Sequence, residues 1–188
     1  HAKGQVASFH CESPMPPAEV LANLRRYLPE DIGIYSCREV SPRFHARLNA
    51  REKTYVYRIW NSEAPCVFER RFVTVMPEPL DVEAMNRAGA LLVGRHDFSA
   101  FCGNPKMKKS TVRELTALTV TRQGEEIVLR FTGNGFLYNM VRLLTGTLVE
   151  VGRLQRSPES VTELFGAKRA QAGFLAPAQG LCLEEVVY

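Results

Sequence analysis

Apolar positions along the chain change period several times, and each change predicts an element. Residues 4–10 set Val6, Ser8 and His10 against Gln5, Ala7 and Phe9, the two-residue period of a β-strand. "PMPPAEVLANLRRYLPEDI" then places Val20, Leu21, Leu24, Tyr27 and Leu28 at helical spacing behind Pro17, a residue suited to a helix start. "DIGIYSCREV" predicts a short strand. In "REKTYVYRIWN" a long strand is expected, with Lys53, Tyr55, Tyr57 and Ile59 on one face and Thr54, Val56, Arg58 and Trp60 on the other. Asp81 stands as a helix cap before Val82, Met85, Ala88, Leu91 and Leu92, a single apolar stripe. "GRHDFSAF" reads as a compact turn and "GNPKMKKST" as a polar, Lys-rich loop. Next comes a hairpin turning at Gln123-Gly124, with Ile127, Leu129 and Phe131 on one face of its second strand. A helix from about Gly135 to Val151 follows, then a shorter one after Ser157-Pro158 and a last strand in "GLCLEEVVY".

Strands, helix, strand pair, helix and strand in that order predict an α+β fold with a largely antiparallel sheet flanked by helices. The length of 188 residues suits one domain, or one domain plus part of another. A hydrophobic fraction of 45% with 23% charged residues is enough to bury a core. No apolar run approaches the roughly 18 residues of a membrane helix, so no membrane partner is expected. The formal charge of +4 is compatible with a polyanionic partner without requiring one. Five cysteines at irregular spacing, without a CxxC pair, fit reduced thiols in the cytoplasm. The four histidines form no metal-ligand spacing with them, and no metal site is expected.

Two segments do not read as plain core. The helix in "GNGFLYNMVRLLTGTLVEVG" is apolar nearly all round, through Phe136, Leu137, Met140, Val141, Leu143, Leu144, Leu148 and Val151, which predicts burial on most faces. Arg142 is the only charge between Gly135 and Val149. A buried guanidinium calls for an anionic partner, and no acid stands one turn away at 138, 139, 145 or 146. That partner comes from elsewhere in the fold, as a structural ion pair, or from a bound phosphate. In "FHARLNAREKTYVYRI", His45, Arg47, Arg51, Lys53 and Arg58 interleave with Phe44, Tyr55 and Tyr57. Cations beside aromatics on a sheet suit nucleic acid, where phosphates meet the bases and rings stack on an unstacked nucleobase. A solvated edge strand with half-buried tyrosines would look the same.

Taken together these segments resemble the TruA family of tRNA pseudouridine synthases over almost the whole chain. "HAKGQVASF" is similar to the tail of a family signature in which Gly-Arg-Thr-Asp-x-Gly-Val leads into His-Ala. "LPEDIGI", "FHARLNAREKTYVYRI", "GRHDFSAF", "GNGFLYNMVRLLTGTLVEVG" and "GLCLEEVVY" follow in family order. The resemblance implies the pseudouridine synthase fold, two similar α+β halves with the active site in the basic cleft between them. Residues 1–43 would be a partial first half and residues 44–188 the complete second half. It also implies isomerisation of uridine to pseudouridine in the anticodon arm of tRNA, without cofactor or metal, by a cytoplasmic homodimer. The target uridine must leave the stack to be reached.

By position, Arg142 matches the Arg that pairs with the family's catalytic Asp, and Tyr55 the Tyr that stacks on the substrate base, with a hydroxyl available as acid or base. Leu181 matches the apolar wall of the uracil pocket. Arg47 and Lys53 match basic positions facing the RNA, with Arg113 and Lys3 as weaker matches. The catalytic Asp itself falls four positions before the residue matching His1, outside residues 1–188, so those residues alone are expected to be inactive. The rival reading is an RNA-binding fragment or degenerate homologue without chemistry. His45, His96 and Asp97 are expected to be structural, satisfied by local hydrogen bonds.

Overall fold

The computed structural model describes every residue except Ser13 and Pro105, and the chain clusters into two compact units. The larger comprises His1–Gln5 and Ala50–Tyr188; the smaller is Val6–Asn49.

In the larger unit the sheet is built around β1 (Glu52–Trp60), the strand expected from "REKTYVYRIWN". One edge of β1 pairs antiparallel with β5 (Glu126–Gly133), which continues through β4 (Val112–Gln123) to β3 (Gly94–Asp97). Two strands share its other edge. β6 (Leu181–Val187) runs antiparallel beside Glu52 to Tyr57, and the short β2 (Thr74–Val75) pairs in parallel with Ile59 and Trp60. The β1/β6 register shifts between Thr54 and Tyr55, a bulge of the kind that re-aims side chains beside functional sites. The sheet is therefore mixed and mostly antiparallel, as the sequence predicts.

The core lies between this sheet and two helices, α2 (Val82–Leu92) and α3 (Met140–Gly152). Asp81 caps α2 as expected, its side chain accepting from the Ala84 N–H at 2.9 Å. Gly89 lets α2 lie close on β4: a Cβ there would meet Leu118 Cδ2 at 2.7 Å. α3 is buried along its length apart from Arg142 and Glu150. Glu150 pairs with Arg156 at 3.2 Å, so Arg142 is the exceptional residue that the sequence pattern singles out.

Several boundaries differ from expectation. The β4/β5 turn is Gly124-Glu125, one residue later, with Gly124 at φ 59° and Gln123 paired to Glu126. Gly94–Asp97 is a strand and not a turn, followed by one 3-10 turn at Ser99–Phe101. The helix expected from Gly135 begins only at Met140, because Asn139 is left-handed at φ 61°, which a continuous helix cannot include. Phe136 and Leu137 still pack on the core, but from a loop. Glu159–Leu164 forms a 3-10 helix.

The smaller unit holds α1 (Pro17–Tyr27), opened by proline as expected but without a buried residue. Arg25 ties residues 31–40 back onto it, with Nε donating to Ile34 O at 2.9 Å and Nη2 to Tyr35 O at 3.0 Å. The strands expected at 4–10 and 31–40 do not form among the described residues. Ala2 makes one isolated bridge to Leu183 within the larger unit, but the alternating residues beyond it find no ladder. Alternation alone leaves an extended segment, since cross-strand pairs are what stabilise a strand.

Candidate active site

Tyr55, Tyr57 and Arg142 converge on the helix-facing side of β1. Alternation puts both tyrosines on that face, and the strand sets Tyr55 opposite Leu183 and Tyr57 opposite Leu181. The Tyr55 ring is half-buried and meets Phe136 edge-on, centroids 5.0 Å apart and planes at 80°. Burial pushes its phenol pKa up, so it stays protonated at neutral pH. Its hydroxyl has no hydrogen-bond partner among the described residues and is available to a ligand.

Tyr57 is fully buried. Its hydroxyl lies 2.7 Å from Thr74 Oγ1 on β2 and donates to Pro177 O at 2.7 Å. Burial raises its pKa, while the Thr74 contact and the nearby Arg142 charge pull it down.

Arg142 projects from the first turn of α3 toward the segment 172–177, which crosses the helix as a strap. Nε donates to Ala176 O at 2.6 Å, and Nη1 lies 3.5 Å from Asn139 Oδ1. No carboxylate pairs with it among the described residues. The anionic partner that the sequence calls for is thus replaced on one edge of the guanidinium by a carbonyl and at Nη1 by the Asn139 amide oxygen, with Nη2 left open among the described residues. Because Asn139 turns toward Arg142, it makes no side-chain bond to the N-terminus of α3.

The remaining residues singled out by sequence lie on several elements. Leu181 packs half-buried against the core beside Tyr57. Lys53 precedes Tyr55 on the same face of β1 and is half-exposed. Lys3 is exposed and reaches Glu184 Oε2 at 3.4 Å, at the bulged stretch of β6. Arg113 turns Nη1 back to its own loop, donating to Ser110 O at 2.9 Å and Val112 O at 2.6 Å. Arg47 is exposed and belongs to the smaller unit. Asp97 is tied up locally, Oδ1 accepting from Ser99 N at 3.0 Å and Thr111 Oγ1 at 2.6 Å. His96 contacts Val93 O at 3.1 Å and stacks on Phe165 at 3.9 Å. His45 Nδ1 accepts from Arg47 N at 3.1 Å. Among the described residues no group of three or more His, Cys, Asp and Glu is arranged to hold a metal ion. No helix among them is long and apolar enough to cross a membrane.

Sequence reasoning set Tyr57 among the aromatics suited to nucleic acid, whereas it is fully buried, and it missed the strap. "GFLAPAQG" has no period to flag it. The available signal was Gly146, in the middle of a buried helix, where a Cβ would sit 1.8 Å from Phe174 O.

Known proteins are similar to this chain in sequence. A tRNA pseudouridine synthase family profile matches residues 88–188. "tRNA pseudouridine synthase A 2" of Bacillus anthracis is 43% identical over 189 aligned positions, covering 100% of this chain and 77% of that protein. "tRNA pseudouridine synthase A" of Moorella thermoacetica is 43% identical with the same coverage, and that of Brevibacillus brevis is 43% identical with 78% of its length covered. Similarity at this level over the whole of this chain, together with the profile match, shows that the chain belongs to the tRNA pseudouridine synthase family.

Proposed function

We propose that this protein isomerises uridine to pseudouridine in the anticodon arm of tRNA, with Arg142 and Tyr55 as its catalytic residues. The observation that carries the reading is a half-buried guanidinium with Nη2 open and, among the described residues, no acid beside it, on the same face as an aromatic ring whose hydroxyl has no partner among them. In this reading the open end receives the carboxylate of the family's Gly-Arg-Thr-Asp run, an acid required in addition to residues 1–188. A guanidinium within ion-pair distance keeps such a carboxylate ionised, the state needed for attack or assistance at the ribose C1′.

The reaction is an isomerisation and balances without a co-reactant. The N1–C1′ bond breaks, the uracil turns, C5 bonds to C1′, the C5 proton leaves, and N1 regains a proton. Tyr55 stacks on the flipped base, and its hydroxyl stands as acid or base for the proton movements, the protonated form that burial favours acting as the acid. Leu181 walls the uracil. Lys53, Arg47, Arg113 and Lys3 face the RNA backbone, the two last as the weaker matches to the family. The protein works as a cytoplasmic homodimer, on the strength of the family resemblance.

Release of tritium from C5 of uridine in tRNA transcripts tests this directly, because C5 loses its hydrogen only when the new bond is made. The full-length protein is expected to release label from anticodon-arm uridines. Absence of release, with tRNA binding that still falls steeply with salt, would mean an RNA-binding module without chemistry.

A further inference from the structure

We propose that Tyr57 is a positioning residue for Arg142, acting through the two consecutive carbonyls of Ala176 and Pro177. The inference rests on Arg142 being the functional cation of the site.

The strap is anchored at both ends, with the guanidinium in between. Its first anchor is α3. Gly173 N donates to Thr147 Oγ1 at 2.9 Å, Ala176 N lies 3.2 Å from Arg142 O, and Gly146 lies directly under Phe174. Its second anchor is the β1/β2 edge. The Tyr57 hydroxyl holds Pro177 O, and Gln179 Nε2 donates to Val73 O at 3.0 Å. Gly180 permits the close approach: a Cβ there would meet Arg58 O at 2.7 Å, and Thr74 Oγ1 and Tyr57 Cε1 each at 2.9 Å.

Adjacent carbonyls of an extended segment point in opposite directions. Pro177 O faces Tyr57 on the sheet side while Ala176 O receives Arg142 Nε on the helix side. Fixing the peptide between them fixes both. Thr74 completes the device, because it lies 4% exposed at the end of β2 and sets the direction of the Tyr57 hydroxyl. The arrangement tolerates no ionisation of Tyr57, and burial keeps that phenol protonated. β1 therefore contributes twice to the site. Tyr55 faces the ligand, and two residues on Tyr57 aims the cation. Neither member of the strap contact needs to touch RNA.

Tyr57→Phe in the full-length protein tests the proposal with little change in packing, and two readouts are needed. The first is kinetic. A misplacement near 1 Å costs a positioned group up to about a hundredfold, so kcat is expected to fall between about tenfold and a hundredfold while the KM for tRNA stays within about twofold. In an Arg142→Lys background the same change should have no further effect on kcat. Thr74→Val should reproduce part of the loss, and Thr74→Ser, which keeps the hydroxyl, should not. The second readout is protection of the Arg142 Nε–H from solvent exchange by NMR, assigned with Arg142→Lys. It should be protected in the wild type and exposed in Tyr57→Phe.

Unchanged Nε–H protection in Tyr57→Phe overturns the positioning role whatever the activity. Additive losses in the double variant overturn it as well. If the wild type forms no pseudouridine yet the Nε–H loses protection on substitution, the positioning role stands and the reading of the function fails.

Discussion

Gly146→Ala sets two known effects against each other, and the structure decides between them. In an ordinary helix interior the change stabilises by about 1 kcal/mol, because alanine loses less backbone entropy on folding than glycine. Here the new Cβ would sit 1.8 Å from Phe174 O and 2.8 Å from Phe174 C. Those atoms are backbone and have no rotamer to escape into. Real Cβ atoms keep at least 3.0 Å from such neighbours, so the strap must retreat by more than an ångström. That displacement stretches Arg142 Nε–Ala176 O from 2.6 Å beyond hydrogen-bond range and breaks Gly173 N–Thr147 Oγ1, now 2.9 Å. Gly173 is buried, and an orphaned buried donor costs about 1–3 kcal/mol. Overpacking costs about 1–3 kcal/mol more. Against a gain of about 1 kcal/mol, the net expectation is a loss of about 1–5 kcal/mol. Urea unfolding followed by fluorescence is the assay, since Trp60, the single tryptophan, lies on β1 in the same unit. The midpoint should drop with an unchanged m-value. A variant as stable as the wild type, or more so, would show that helix propensity outweighs the contact and that the strap is not seated on α3 as described.

Three further outcomes follow from the site. Arg142→Leu should lower kcat by at least about 10²-fold, the usual loss when a charge-stabilising donor is removed, while tRNA affinity in a filter-binding assay stays within a few-fold; normal turnover would remove Arg142 from the chemistry. Tyr55→Phe should keep stacking, worth about 1–3 kcal/mol per base, and lose turnover by about 10²-fold or more; full tritium release would leave the ring and not the hydroxyl as the contributor. Both tyrosines have folded-state pKa values raised above the ordinary value near 10, so the unfolded chain releases their protons first. Stability from these groups is intact below about pH 10 and is lost as pH rises toward the folded values. Urea midpoints measured across that range should fall less steeply in Tyr55→Phe than in the wild type, and parallel curves would contradict the burial of that phenol.

What could be read from the sequence divides by the range of the cause. Asp81 capping α2 and the turn at Gly124 are local: a side chain meets a backbone group three residues on, and a glycine supplies a positive φ. The alternation of β1 was legible because both its edges are paired, by β5 on one side and by β6 and β2 on the other. Residues 4–10 alternate just as well and form no ladder, since the pattern does not reveal whether a partner is present. The start of α3 depended on one residue, Asn139, whose left-handed φ no hydropathy pattern encodes.

Arg142 was conspicuous by charge alone, whereas its carbonyl partner was hidden, because Ala176 carries no side-chain chemistry to betray it. A legible trace of the strap existed even so. α3 is built from good core residues, yet it keeps a glycine at 146, where alanine would cost the helix less. Such a glycine is explained when another backbone comes too close for a Cβ. Gly173, whose own Cβ would meet Thr147 N at 2.5 Å, is the matching half on the strap. Two glycines in contact, one mid-helix and one in an aperiodic loop, bring a carbonyl to the guanidinium. Backbone approach, and not a complementary charge, therefore sets the aim of Arg142 within this chain.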